Sequence, residues 1–143
     1  MSQTGQNRTS KSNFIKNFED WFKIKPEIDG VKYTPPKFSN AQIWYCFTGE
    51  NIGVEISGKG VEYLRPYLIL QTLDRYSFIG LPLSTQIKVG DRYFPISFRS
   101  INQVICLHQP RHFDYRRLKY QIGEIQSSFV KIILKKPKNN PLN

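Results

Sequence analysis

The apolar positions of this chain run in two rhythms. Over residues 13–24, Phe14, Phe18, Trp21 and Phe22 recur in steps of three and four, the period of one helix face. Ser12 or Asn13 stands where it can cap that helix, and Pro26 where it can stop it. An aromatic stripe of this size is too much surface to leave in water. The helix is therefore expected to pack on the main domain, with docking of a partner as the alternative. Residues 1–12, before it, are polar and aperiodic, a composition that predicts disorder. Pro26, Asp29-Gly30 and Pro35-Pro36 make residues 25–37 a connector of turn residues.

From residue 38 the rhythm shortens. Gln42–Phe47, Pro66–Thr72, Tyr76–Leu83, Arg92–Phe98 and Gln103–Leu107 are runs rich in Ile, Val, Tyr and Phe, separated by Gly and Pro. The gaps leave no room for the crossover helices that parallel strands need. A small, strongly curved antiparallel sheet or barrel is the architecture that fits. Asp114 is placed to cap a helical turn through Arg116, Arg117 and Leu118. Ile122, Ile125, Phe129, Ile132 and Ile133 then return to a spacing of three and four. They predict a closing amphipathic helix over one end of the barrel, with Lys135, Lys136 and Lys138 suited to its C-terminus. The chain thus divides into residues 1–37, a tail, helix and connector, and residues 38–143, the barrel domain.

At 143 residues the chain can bury a single core. It carries 21 Lys and Arg against 11 Asp and Glu, a net charge of +10. Residues 38–143 alone hold 14 basic and 7 acidic side chains, hence +7. Such a balance points to nucleic acid or another polyanion as partner. No apolar run is long enough to span a membrane, and the opening residues lack the apolar segment of a secretory signal. A cytoplasmic location is expected. Cys46 and Cys106 each lie inside an apolar run and read as buried thiols of a reducing compartment, not as a disulfide or metal site. His108 and His112 are four apart, but Pro110 between them denies the helical pair that a zinc site would use. Neither a metal nor a cofactor is expected.

The chemistry gathers at strand ends. Gly53-Val-Glu55 and the glycine-rich Ser57-Gly58-Lys59-Gly60 precede Arg65-Pro66, which opens the most apolar strand. A guanidinium there offers a planar fork of donors suited to two-point contact with a phosphate. The Tyr76–Leu83 strand empties into Ser84-Thr85-Gln86, and the Gln103–Leu107 strand into His108-Gln109-Pro110-Arg111. Arg, Glu, Ser, Thr, Gln and Arg side chains supplied by three loops form a set able to grip a phosphodiester. Each also has a structural use: Ser84-Thr85 as a turn signal, Gln109 as a solvated loop residue, Asp114 as a cap. Tyr45, Phe47, Tyr63, Tyr67 and Tyr93 are aromatic candidates for base stacking, of which strand alternation sends about half to the core.

In their order these motifs resemble the MazF/PemK family of toxin endoribonucleases from bacterial toxin–antitoxin pairs. The resemblance runs from about Gln42 to Leu134 and rests on five stretches. These are Ile43-Trp44-Tyr45; Gly53 to Glu55 with Arg65 to Leu70; Leu81 to Gln86; Leu107 to Asp114; and Arg117-Leu118 with Ile122-Gly123. It implies an SH3-like curved β-barrel of the MazF/CcdB kind, pairing as a homodimer. It implies metal-independent cleavage of single-stranded RNA and an acidic antitoxin protein as partner. Carried over residue by residue, it makes Arg65, Ser84 and Glu55 catalytic and Gln109 an RNA contact; Thr85, Gln86 and Arg111, supplied by the same strand-end loops, are expected to bind substrate beside it. Two departures stand out: the family usually has Thr where Ser84 stands, and the stretch from Glu55 to Arg65 is longer than usual. A barrel that binds nucleic acid without cutting it, or a toxin acting on a protein target such as DNA gyrase, are the alternatives the same fold allows.

Overall fold

The computed structural model describes residues 16–136. The expected disorder of residues 1–12, the capping by Ser12 or Asn13, and the placements of Phe14 and Lys138 lie outside the described residues. The chain runs through helix α1 (Phe18–Asp29), strands β1 (Gln42–Phe47), β2 (Leu64–Thr72), β3 (Ser77–Ser84), β4 (Tyr93–Phe98), β5 (Ile101–Cys106) and β6 (Arg111–Asp114), a 3-10 turn at Tyr115–Arg117, strand β7 (Leu118–Glu124) and helix α2 (Ser127–Lys135). The strands form one sheet in the order β4-β5-β3-β2-β1-β7, with β6 pairing β3 off that path. All pairings are antiparallel.

β3 is where the sheet bends. Its first half, Ser77 to Gly80, pairs β6, while its last two residues, Leu83 and Ser84, pair β5 on the same edge. Register shifts in β2 between Ile69 and Gln71, and in the β1–β7 pair, add twist. The β4–β5 hairpin tip then reaches over the far strand. A Cβ on Gly123 of β7 would lie 2.7 Å from the Phe98 ring, so any larger residue there would have to displace that ring. The turn takes φ of 54° at Arg99 and 63° at Ser100, the primed geometry of a two-residue hairpin, here without a glycine.

Strand alternation divides the apolar side chains into two cores, one on each face of the curved sheet. Trp44, Cys46, Tyr67, Ile69, Phe78 and Phe113 pack on one side. Ile43, Leu68, Leu81, Leu83, Ile105 and Ile122 pack on the other, where Ile133 of α2 joins them. Chain parity from these core residues outward decides which face each later polar residue joins.

Three expectations need correction. α1 does not stop at Pro26 but runs on to Asp29, and Asn17 caps it by accepting from the Asp20 N–H at 3.0 Å. The proline removes the donor for the Phe22 carbonyl, and Phe22 lies at the surface, 63% exposed, where water can replace it. Ile122 belongs not to the closing helix but to β7, in which Tyr120 pairs Tyr45 and Gly123 pairs Ile43. Edge pairing on β1 outweighs the three-and-four spacing there, and α2 starts only at Ser127. Arg111, expected as the end of the 108–111 loop, instead opens a strand, Arg111–Asp114, because β3 leaves the edge of its first half open for it. The capped turn is present: Asp114 accepts from the Arg116 N–H at 2.9 Å.

The glycine-rich stretch before β2 holds two glycines with different duties. A Cβ on Gly58 would sit 1.8 Å from the Tyr63 carbonyl oxygen, whereas one on Gly60 would meet nothing, although φ there is +76°. Gly58→Ala is expected to cost about 3 kcal/mol or more by forcing the backbone apart. Gly60→Ala should cost only about 1–2 kcal/mol, for the left-handed backbone. Melting curves of the two variants check this ordering.

Candidate functional site

Continuing the β2–β3 register from Tyr67↔Pro82 by two residues puts Arg65 across from Ser84. Both share the face of Tyr67 and Gly80, by parity, and so do Cys106 at the end of β5 and Arg111 at the start of β6. These side chains line one groove of about 1020 Å³. Its cations are Lys59, Arg65, Lys88, Arg92 and Arg111, and its carboxylate is Glu55. Five positive groups against one negative make the concavity a trap for a polyanion.

Arg65 is fixed before any ligand arrives. Its Nε donates to the Ser57 carbonyl at 2.8 Å and its Nη1 to the Leu83 carbonyl at 3.2 Å. A guanidinium has five N–H donors, and among the described residues only these two are taken, which leaves the rest for a ligand. Burial lowers its pKa from the usual guanidinium value, against the raising influence of Tyr67 and Cys106. It starts so high that it stays charged at neutral pH. Ser84 ends β3, and its Oγ accepts from the Gln86 N–H at 3.1 Å, leaving the hydroxyl proton free to donate.

The neighbours of Arg65 raise the charge density of the floor. Arg111 Nη1 donates to the Thr48 carbonyl at 2.9 Å and stacks 4.7 Å from the Phe113 ring centre. Arg117, behind it, donates to the Phe47 carbonyl at 2.9 Å. Burial first, then Arg111, draws the Arg117 pKa down to about 10. Between the arginines Tyr67 is almost wholly buried, and burial pushes its phenol up to about 12. Burial likewise raises the thiols of Cys46 and Cys106, which are free and buried.

Three of the expected residues occupy unexpected positions. Glu55 is exposed on the groove wall, and its Oε1 accepts from the Ile52 N–H at 3.0 Å, capping its own turn. Among the described residues no ion pair joins it to Arg65. Gln109 is a staple: its Oε1 accepts from the Ile56 N–H at 2.8 Å and its Nε2 donates to the Val54 carbonyl at 3.4 Å, either side of Glu55. Thr85 has the opposite parity to Ser84 and lines a second concavity, of about 590 Å³, with Tyr45, Pro66 and Phe98. Gln86 lies in the main groove.

Sequence reasoning left out Tyr93 and His108 as a pair. Their rings meet edge to face at 5.3 Å on the groove wall. The β4–β5 register makes the pair, because Tyr93 pairs Cys106, which sets it beside the residues that follow β5. Burial lowers the His108 pKa; a hydrogen bond with the Arg92 backbone opposes this, and the charges of Arg92 and Lys88 add to it. A His whose pKa is depressed in the folded state stabilises the fold fully above its unfolded value of about 6.5, and that stability is lost as pH falls through the folded value. Unmodified protein should therefore lose stability from about pH 6.5 downward more steeply than His108→Gln. Melting temperatures across pH 5–7.5 compare the two, with the imidazole midpoint from NMR as a direct check.

Among the described residues no group of three or more His, Cys, Asp or Glu gathers, and no helix is long and apolar enough to cross a membrane. The molecule is thus a curved, mostly β barrel with a cationic groove at its strand ends. It shares its fold with MazF from Deinococcus radiodurans, whose crystal structure it matches at a TM-score of 0.53, with 18% identity, over 72% of this chain and 92% of that one. No protein-family model and no curated protein sequence matches the chain. At that identity the likeness is one of fold.

Proposed function

We propose that this protein is an endoribonuclease that cuts single-stranded RNA and acts as the toxin of a toxin–antitoxin pair. The observation that carries the reading is that Arg65 and Ser84 line one groove, whose other cationic side chains are Lys59, Lys88, Arg92 and Arg111. The MazF fold supports it, since this barrel is the frame on which the sequence motifs had been read.

On this reading the 2′-hydroxyl of the substrate attacks the adjacent phosphorus and the bond from phosphorus to the 5′-oxygen breaks. The products are a 2′,3′-cyclic phosphate and a 5′-hydroxyl. The 2′-hydroxyl proton passes to a base, for which Glu55 is the groove's carboxylate, and the 5′-oxygen takes a proton from solvent water as it leaves. The remaining donors of Arg65 face the charge that builds on the phosphorane, and Ser84 donates to a non-bridging oxygen. One donor so placed is worth about 10²–10³ in rate. Gln86 and Arg111 hold neighbouring parts of the chain. Gln109 acts by fixing the wall that carries Glu55, and Thr85 faces the other concavity. Tyr93 offers a ring for a base to stack on. An acidic antitoxin would occupy the same groove by charge complementarity. Homodimer formation and a cytoplasmic location belong to the same proposal.

Incubation with a long single-stranded RNA, with end analysis, tests the activity. Discrete fragments ending in 5′-hydroxyls are expected; RNA retained uncut would leave a binding module and sink the nuclease. Arg65→Ala should abolish cleavage with the circular-dichroism spectrum unchanged. Arg65→Lys should recover little, because a point charge cannot reproduce the fork. Ser84→Ala should lower turnover about 10²-fold or more, Thr85→Ala far less, and Ser84→Thr should be tolerated. A larger loss at Thr85 would reverse the assignment of the two hydroxyls. RNA affinity should fall with salt at a log–log slope of about −0.7 per phosphate neutralised, measured by filter binding. A flat dependence would point to a protein target instead.

A further inference from the structure

The groove wall that bears Glu55 is held from behind. Residues 48–63 leave β1 and return to β2, and α1 with its lead-in meets this excursion at several points. Lys16 Nζ donates to the Asn51 carbonyl at 2.7 Å and to the Gly53 carbonyl at 3.0 Å. The Asn17 N–H donates to the Glu50 carboxylate at 3.1 Å, and the Tyr63 hydroxyl to the Asn17 carbonyl at 3.4 Å. Trp21, 4% exposed, sets its ring edge to face against Tyr63 at 5.6 Å. It crowds Gly49 so closely that a Cβ there would lie 2.5 Å from the indole. None of these α1 groups lines the groove.

From the groove side the same wall is gripped by Gln109, on Val54 and Ile56, and by Arg65, on Ser57. An irregular excursion of this length has to be ordered against its conformational entropy, and contacts from both sides supply the order. α1 adds little else to the core. Phe18 and Phe22 stay 40% and 63% exposed, and only Trp21 of the helix is buried. Its other tie goes to the 3-10 turn, where Arg116 Nη1 donates to the Asp29 carbonyl at 3.0 Å. The helix and its lead-in thus meet the wall through Lys16, Asn17 and Trp21, and the 3-10 turn through Asp29 and Trp21, over whose ring the Arg117 guanidinium lies at 5.9 Å.

We infer that α1 and its lead-in are an intramolecular brace, in which Lys16, Asn17 and Trp21 are positioning residues that set the wall carrying Glu55 and the Ser57 carbonyl that anchors Arg65. The catalytic consequence rests on the endoribonuclease reading; the mechanical role does not.

The test uses the full chain with Lys16→Met, Lys16→Arg and Trp21→Ala. Amide exchange is followed at Asn51, Ile52, Ile56 and Gly58, whose N–H groups all bond within the wall or to Gln109. Lys16→Met is expected to speed exchange at these amides about tenfold, with the β2–β3 amides unchanged, and Lys16→Arg to restore protection. For RNA cleavage, kcat should fall about tenfold in Lys16→Met with KM nearly constant, because the lysine acts through the wall and not on the substrate. Wall exchange identical to that of the unmodified protein would overturn the brace, as would faster exchange in every strand alike. If Trp21→Ala does not fold, Lys16→Met, a change at a half-buried side chain outside the core, still decides. Unmodified protein that cuts no RNA would overturn the nuclease reading alone, and the exchange data would then judge the brace independently.

Discussion

Arg65 ties the irregular excursion before β2 to the end of β3. Its two protein hydrogen bonds reach the Ser57 carbonyl, in the irregular excursion before β2, and the Leu83 carbonyl, near the end of β3. Hydrogen bonds from a charged donor are worth about 1.5–3 kcal/mol each, more than neutral ones. Breaking either would leave a half-buried cation short of partners. The position of the groove wall, the end of β3 and the free donors of the guanidinium are therefore set together.

The sheet supplies the frame for this tie through alternation. Tyr67 and Ile69 bury themselves in one core, so Arg65, two residues earlier, must emerge on the same face at the strand mouth. Leu81 and Leu83 commit to the opposite core, which sends Ser84 to the face of Arg65 and Thr85 into the second concavity, which Arg65 also borders. A slip of one residue in β3 would exchange the two hydroxyls and bury Ser84 among leucines. The register that holds the core is thus also the register that builds the groove.

Much of this was legible in the sequence. Short apolar runs broken by Gly and Pro gave the barrel, because strands that pack on both faces need β-branched and aromatic residues wherever they are buried. Arg65, Ser84, Gln86 and Arg111 could be placed together because each follows or opens a core strand. What stayed hidden depended on pairing across the fold. β6 has only four residues and forms because β3 offers it an edge. Ile122 mimics a helix spacing but is claimed by β1. Gln109 looks like a solvated loop residue until the excursion at 54–56 arrives to be bonded. Asn17 caps a helix whose aromatic stripe suggested an earlier start.

The pair Phe47↔Leu64 closes the end of the β1–β2 ladder, so the excursion between them starts and finishes at neighbouring points of the sheet. A segment with its ends fixed side by side is a module: its length can change without altering the spacing or register of any strand. Closing a loop twice as long costs only about 0.6 kcal/mol more. The barrel therefore places almost no limit on how far this wall extends, and its contour can diverge while the sheet beneath it remains the same.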